Sequence, residues 1–503
     1  MRECRGSVGC RGVGARPNAV RATSVPPTPT FHLAFAYRTG SAHEAGGMHR
    51  TSLLAVPVLL ALSTAATASA ANSPTSAGAH EPTTITVAID NETPVLYDDE
   101  DGGNTSGDDP AIWVHPSRSD RSIVVVTAKE GGLRVYDLAD RELQSLPSTV
   151  APQGDAIAGR YNNVDIAYGL RVRGHRVDVA VVSDRYNDTL RFFAIDPGGA
   201  AASTPLSEIT APGQDYLFQP DREGVDTEQT AYGLAVYQPG HGSAYAVVTQ
   251  EGTTTIATAR LVVRGGAIGY AGVRQLDLPG EFPLPDGTTW APCEEPGVEP
   301  QLEGLSVDQA TGEIYAAQED VGLWRIGLPL GAHRPVLVDR TTDFGVHDAY
   351  DPETEECVPI DPADEGFGGD WLTADAEGVD LYYGPRKTGY VIVSSQGDDS
   401  FVVYQRKHDG RWARNEVMGA FQVAGAAGSG VDEINGSDGV AVTNRPVGRF
   451  RWGLLVSHDE PETGPSVDPG RDATNFSYVS WRDIAAGLHL VVDTRAGNDP
   501  RFD

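Results

Sequence analysis

One pattern recurs along this chain: a short apolar strand, a polar turn and a second apolar strand. It appears at 122–136, 178–193, 244–252, 313–326, 390–404 and, truncated, at 452–459. A chain that repeats one supersecondary unit must stack its copies, because a single copy cannot bury its own apolar face. Upstream of each hairpin lies another short strand with a polar, usually glycine-containing entry, at 108–113, 162–166, 232–236, 303–307, 377–381 and 438–442. A strand, a hairpin and one further strand make a four-stranded blade, and packing such blades radially protects their edges. The reading is therefore all-β, a six-bladed β-propeller of mostly four-stranded antiparallel blades. The 58 Gly and 34 Pro agree with so many turns, and the 3 Met with few long helices. The hairpins begin 56 residues apart or more, so loops must absorb the excess. Residues 83–96 are expected to close the ring with the last blade. Residues 475–485 read either as the other side of that closure or as a short terminal helix.

The start of the chain reads as processed sequence. A basic stretch at Met48 leads into the apolar run 53–62, too short for a membrane span, and then into the small-residue site Ala68-Ser69-Ala70. The expected divisions are an upstream extension (1–47) ahead of a start at Met48, a signal peptide (48–70), a linker (71–82), the propeller (83–490) and a tail (491–503). Export follows, with cleavage after Ala70. Without residues 1–70 the chain holds 31 basic and 68 acidic side chains, a net charge of about −37. Such a charge argues against nucleic acid and anionic lipid as partners. It leaves two readings, a solvated acidic surface or carboxylates gathered for hard cations. Cys293 and Cys357 lie in Pro- and acid-rich insertions, and a single disulfide stapling two loops is expected.

Equivalent positions in a ring of repeats reach the same height around the axis, so residues distant in sequence converge. The hairpin turns bring Lys129, Arg185, Glu251, Glu319 and Asp459, with Gln396 and His458 beside them. The inner-strand entries bring Asp108, Asp109, Asn163, Tyr232, Glu303, Glu377 and Asp438, with Asp375 and Asp432 nearby. Any one of these is an ordinary turn or cap residue. Together they place many carboxylates and two strong cations at one mouth. Carboxylates so crowded repel one another unless cations join them. Lys129 and Arg185 beside them suit phosphate.

The motifs Asp108-Asp109-Pro110-Ala111-Ile112-Trp113, Asn162-Asn163-Val164-Asp165-Ile166, Glu303-Gly304, Asp375-Ala376-Glu377-Gly378 and Ser395-Gln396-Gly397 together resemble the β-propeller phytases, from about Asp108 to Ala485. The resemblance implies a phosphomonoesterase acting on phytate (myo-inositol hexakisphosphate) and lower inositol phosphates. It implies several Ca²⁺ ions and adjacent cleavage and affinity phosphate sites. It further implies that Lys129, Arg185 and Tyr232 grip phosphate and that Glu303, Glu319, Asp375, Glu377 and Gln396 hold calcium. Asp108, Asp109, Asp432, Asp438 and Asp459 match positions around further calcium sites and the affinity phosphate. Two departures remove positive charge: Gln250 or Glu251 stands where the family often has a third-blade Lys, and Ala167 where an Arg usually follows the Asn-Asn motif.

No Ser/His/Asp set or nucleophile elbow occurs, and the 12 His show no zinc spacing. The expected chemistry is attack by metal-activated water, with Lys129 and Arg185 stabilising the phosphoryl charge and Glu303 or Glu377 orienting the water. The rivals are a calcium-dependent propeller lactonase, which has less need of those cations, and a non-catalytic binding propeller with a structural acidic mouth. A monomer is expected.

Overall fold

The computed structural model describes residues 82–503 apart from 101–102, 151–157, 241, 355, 407–414, 426–427, 429, 466, 496–498 and 503. The expected upstream extension, signal peptide and nearly all of the linker lie outside the described residues. The described residues belong to one compact unit, Ser76–Asp503.

Six sheets form six blades. Their inner strands are Pro110–Trp113, Tyr161–Val172, Ala231–Tyr237, Leu302–Asp308, Ala376–Tyr383 and Val440–Thr443, each running into its hairpin. The first hairpin strand, Ile123–Thr127, shows why these sequences form strands. Its Ile-Val-Val-Val-Thr run is β-branched throughout and wholly buried, as suits a strand packed on both faces. The apolar core is divided into six clusters, each built from facing sides of two neighbouring blades. The first joins Trp113 and Val125 to Val164 and Val182, and the last joins Leu454 and Val456 to Ile112 and Val124. This ring of cores leaves the axis to polar groups.

The sixth hairpin is complete rather than truncated: Leu454–Asp459 pairs with Ala473–Ser480 across the loop 460–472. Asn91–Glu92 and Leu96–Tyr97 add its outermost strand, which closes the ring. Just before them, Thr84–Ala88 runs parallel to Val417–Ala424 as a fifth strand of the fifth blade. Both expectations for 475–485 are met, because the strand Ala473–Ser480 leads into a helix, Trp481–Gly487, whose Trp481 stacks on Tyr382.

Two small hairpins, Phe282–Pro283 with Thr289–Trp290 and Asp348–Asp351 with Glu356–Pro359, rise from the insertions. A disulfide between Cys293 and Cys357 joins this part of the chain, as expected.

Around the axis the inner strands nearly touch. A Cβ on Gly233 would lie 1.9 Å from the Glu303 carbonyl oxygen, and one on Gly304 would lie 2.2 Å from that of Glu377. No side chain fits there. In the third to sixth blades the glycine after the entry residue, Gly233, Gly304, Gly378 or Gly439, thus lets the next blade's entry come close. Buried carboxylates tie the strands further along: Asp109 Oδ2 accepts from Val164 N at 2.9 Å, Asp165 Oδ2 from Val236 N at 2.7 Å and Asp380 Oδ2 from Val442 N at 2.6 Å.

At the far end of the axis sits the end of the chain. The Arg501 guanidinium lies 5.2 Å from the Tyr383 ring, and Phe502 packs edge-on against Tyr168 at 4.8 Å. Arg501 is also within electrostatic reach of Asp165 and Asp380. These contacts come from the second and fifth blades, so the terminal residues plug the channel.

Candidate functional site

At the opposite end the inner-strand entries and hairpin turns converge. Glu303, Glu319 and Glu377 are all buried, and each offers a carboxylate oxygen within 4.8 Å of the others'. Glu303 Oε1 accepts from Asn162 Nδ2 at 2.6 Å, and Glu319 Oε2 from Gln301 Nε2 at 2.8 Å. Glu319 Oε1, Glu377 Oε2 and Asp108 Oδ1 are buried with no hydrogen-bond partner among the described residues. Burial first, and then the neighbouring carboxylates, push Glu319, Glu377 and Asp108 well above the usual carboxylate range. Buried anions this close are unfavourable unless they are protonated or joined by cations. Orphaned carboxylate oxygens converging on one point fit a hard metal ion.

Beside this triad, Asp438, His458 and Glu460 form a second group within the same 4.8 Å limit. Lys129 Nζ lies 3.8 Å from Asp438 Oδ2 and 4.0 Å from Glu460 Oε2. Gln396 Nε2 donates to Asp438 Oδ1 at 2.7 Å. His458 is fully buried, and that burial holds its imidazole neutral, with its pKa pushed down to about 3. Arg185 pairs with Glu251, and its guanidinium lies 5.2 Å from the Tyr232 ring. Tyr232 in turn lies beside Glu303 and partly offsets the rise that burial gives its carboxyl.

Lys129, Arg185, Tyr232, Glu303, Glu319, Glu377, Asp108, Asp438, Gln396 and Asp375 are therefore brought to one mouth. Asp375 acts on Glu319 and Asp320, and the insertion residue Glu294 meets Asp320. Asp109 gives Oδ2 to the Val164 backbone strut and lies within electrostatic reach of Glu303. Asp432 and Asp459 part from the triad. With Glu92 and Glu462 they form a third acidic group within 4.8 Å, where the N-terminal strand meets the sixth blade. Burial, then neighbouring carboxylates, raise Glu92 to about 8 and Glu462 to about 7.

Sequence reasoning missed Glu92, Glu460, Glu462 and Arg160. The acidic run 458–462 was a signal for two of them. Glu92 belongs to no repeat copy and had none. Arg160 precedes the Asn-Asn motif, so its place in the repeat was the overlooked signal.

Comparison with known proteins agrees with this geometry. The phytase family model matches residues 50–270 and 350–502. A 3-phytase from Bacillus subtilis (strain 168) is 30% identical over 456 residues, covering 89% of this chain and 97% of that protein. A structural-genomics protein of unknown function from Bacteroides thetaiotaomicron is 10% identical over 79% of this chain and 75% of its own, with a TM-score of 0.38. That distance is too great to carry an argument.

Proposed function

The chain belongs to the phytase family, and from that premise we propose that it hydrolyses phosphomonoesters of myo-inositol hexakisphosphate at this mouth, with several calcium ions held by its carboxylates. The observation that carries the reading is the placement of Lys129 and Arg185 beside buried carboxylates whose oxygens lack partners. A structural acidic mouth has no use for such cations, and a lactone presents no phosphate for them to grip.

Glu303, Glu319, Asp375, Glu377, Asp108 and the Gln396 carbonyl are the groups that would hold calcium at the mouth, and Asp432 and Asp459 those at the ring seam. Calcium bound there supplies positive charge against the charge that builds on the phosphoryl oxygens, and it allows the carboxylates to ionise together. The protein's own groups do the rest. The Arg185 fork, beside the Tyr232 ring, binds two phosphoryl oxygens. Lys129 adds a point charge. Two carboxylates stand as partners for the attacking water: Glu303, which accepts from Asn162 Nδ2, and Glu377. Whichever of the two the metal leaves free orients the water and takes its proton. The same reading places the protein outside the cell after cleavage near Ala70, working as a monomer.

Phosphate release from phytate by the purified protein, with and without a calcium chelator, tests this. Release that stops on chelation and returns with Ca²⁺ is expected. No release from phytate under calcium-replete conditions would overturn the function, and release unaffected by chelator would overturn the calcium dependence.

A further inference from the structure

Among the described residues three cations, not two, line this mouth. Arg160 ends the approach to the second inner strand, and the backbone sets it between the other two: Tyr161 N donates to Lys129 O at 3.1 Å, and Arg185 N donates to Arg160 O at 2.8 Å. Its side chain is only 14% exposed. Arg160 Nε is buried without a partner among the described residues, as is Arg185 Nε. The remaining contacts of the Arg160 guanidinium are loose, with Glu130 Oε1 at 3.4 Å and the Tyr186 ring at 5.9 Å. A surface arginine would project into water and an arginine that serves the fold would be saturated with acceptors. Arg160 does neither.

Resting on the function proposed above, we propose that Arg160 is a third phosphate-gripping residue, and that it takes a phosphoryl group neighbouring the one that is cleaved. The two forks share Tyr186 and Tyr232 as neighbours but pair with different carboxylates. Arg185 lies against Tyr232 and Glu251, on the side of the third blade. Arg160 lies against Tyr186 and Glu130, within electrostatic reach of Asp108 on the first. Two guanidinium groups this near repel each other, and Arg160 is among the charges that lower the Arg185 pKa. One anion with several phosphoryl groups relieves that repulsion. It would displace Glu130 and Glu251, which act as the forks' counter-ions in its absence. Arg160 therefore contributes binding that is equal in ground and transition states, so its loss belongs in KM rather than in kcat.

The experiment is steady-state kinetics on calcium phytate for the wild type, Arg160→Gln and Arg160→Lys, with melting temperatures and with inorganic phosphate binding measured by calorimetry on the calcium-loaded proteins. Arg160→Gln should raise KM at least tenfold with kcat within threefold, and Arg160→Lys should recover part of that loss. An Arg160→Gln protein with KM within twofold of wild type overturns the inference. Should Arg160→Gln not fold, Arg160→Lys decides: a KM equal to wild type overturns the fork, and a raised KM supports it. If the wild type releases no phosphate from phytate, the functional reading fails on its own. Phosphate binding then decides for Arg160, with weakening by less than twofold in Arg160→Gln counting against it.

Discussion

Lys129 shows what a residue in this site gives up for its position. It is not glycine, yet it holds a left-handed backbone, with φ 44°. Such a conformation costs about 1 kcal/mol and is most often retained where function needs it. The turn aims its ammonium at Asp438 and Glu460 instead of into solvent. Arg185 is the sharper test at this scale. If it were a mere turn residue, replacing it would change stability by less than about 0.5 kcal/mol and leave activity alone. As a fork on the transferring phosphoryl group, Arg185→Ala should lose roughly 3 kcal/mol of transition-state stabilisation, on the order of a hundredfold in kcat/KM. Arg185→Lys should recover only part of it, since an ammonium keeps the charge and loses the bidentate geometry. Kinetics on calcium phytate with melting temperatures alongside check this, and a folded Arg185→Ala enzyme within threefold of wild type would exclude the role.

At the scale of strands, the inner ring explains why the mouth residues sit where they do. Gly304→Ala would drive a methyl group into the Glu377 backbone and push Glu303 and Glu377 apart. A loss of about 1–3 kcal/mol, the usual cost of overpacking, should come with a fall in activity; a variant that matches the wild type in both would show that the ring is not this tight. The seam between the N-terminal strand and the sixth blade makes a prediction about pH. Glu92 and Glu462, raised to about 8 and about 7, hold protons in the metal-free fold that the unfolded chain releases at ordinary carboxylate values. Their contribution to stability is therefore complete below about pH 4.5 and is lost as pH rises through 7 and 8. Calcium should reverse this, adding about 2.7 kcal/mol per site at a hundredfold excess over Kd. Melting curves from pH 5 to 8.5, with chelator and with calcium, should diverge as pH rises; parallel curves would remove metal from the seam. The repeat made the hairpins and inner strands legible from sequence because strand periodicity and turn chemistry are local. Glu92 and the parallel strand Thr84–Ala88 were harder to read, because they complete blades whose other strands lie more than 300 residues away.

For the molecule as a whole, the disulfide and the plugged axis set what can be altered without harm. Cys293 and Cys357 are 64 residues apart, and removing the bridge should cost up to about 4 kcal/mol through the freedom it returns to the unfolded chain. Cys293→Ser should nevertheless turn over phytate within a fewfold of wild type, since the bridge spans insertions and not the phosphate-gripping residues. A large loss of activity at a temperature where the variant is folded would show that Glu294, next to the cysteine, depends on it. The sequence divides the tail, 491–503, from the propeller. Its role depends on Arg501 meeting Asp165 and Asp380, a charge match that no periodicity records. Deleting residues 499–503 should lower the melting temperature while leaving the residues of the far mouth in place. The ring is also shut by strands from opposite ends of the chain, which gives the protein a folding order. Thr84–Ala88 and Asn91–Glu92 must wait for partners around residues 420 and 478. Until the last of the chain is made, its first strands are unpaired edges, and the pairing that finishes the fold spans the greatest separation it contains. Slow refolding that loses yield as protein concentration rises, and aggregation of any chain that ends short of the sixth blade, follow from that order.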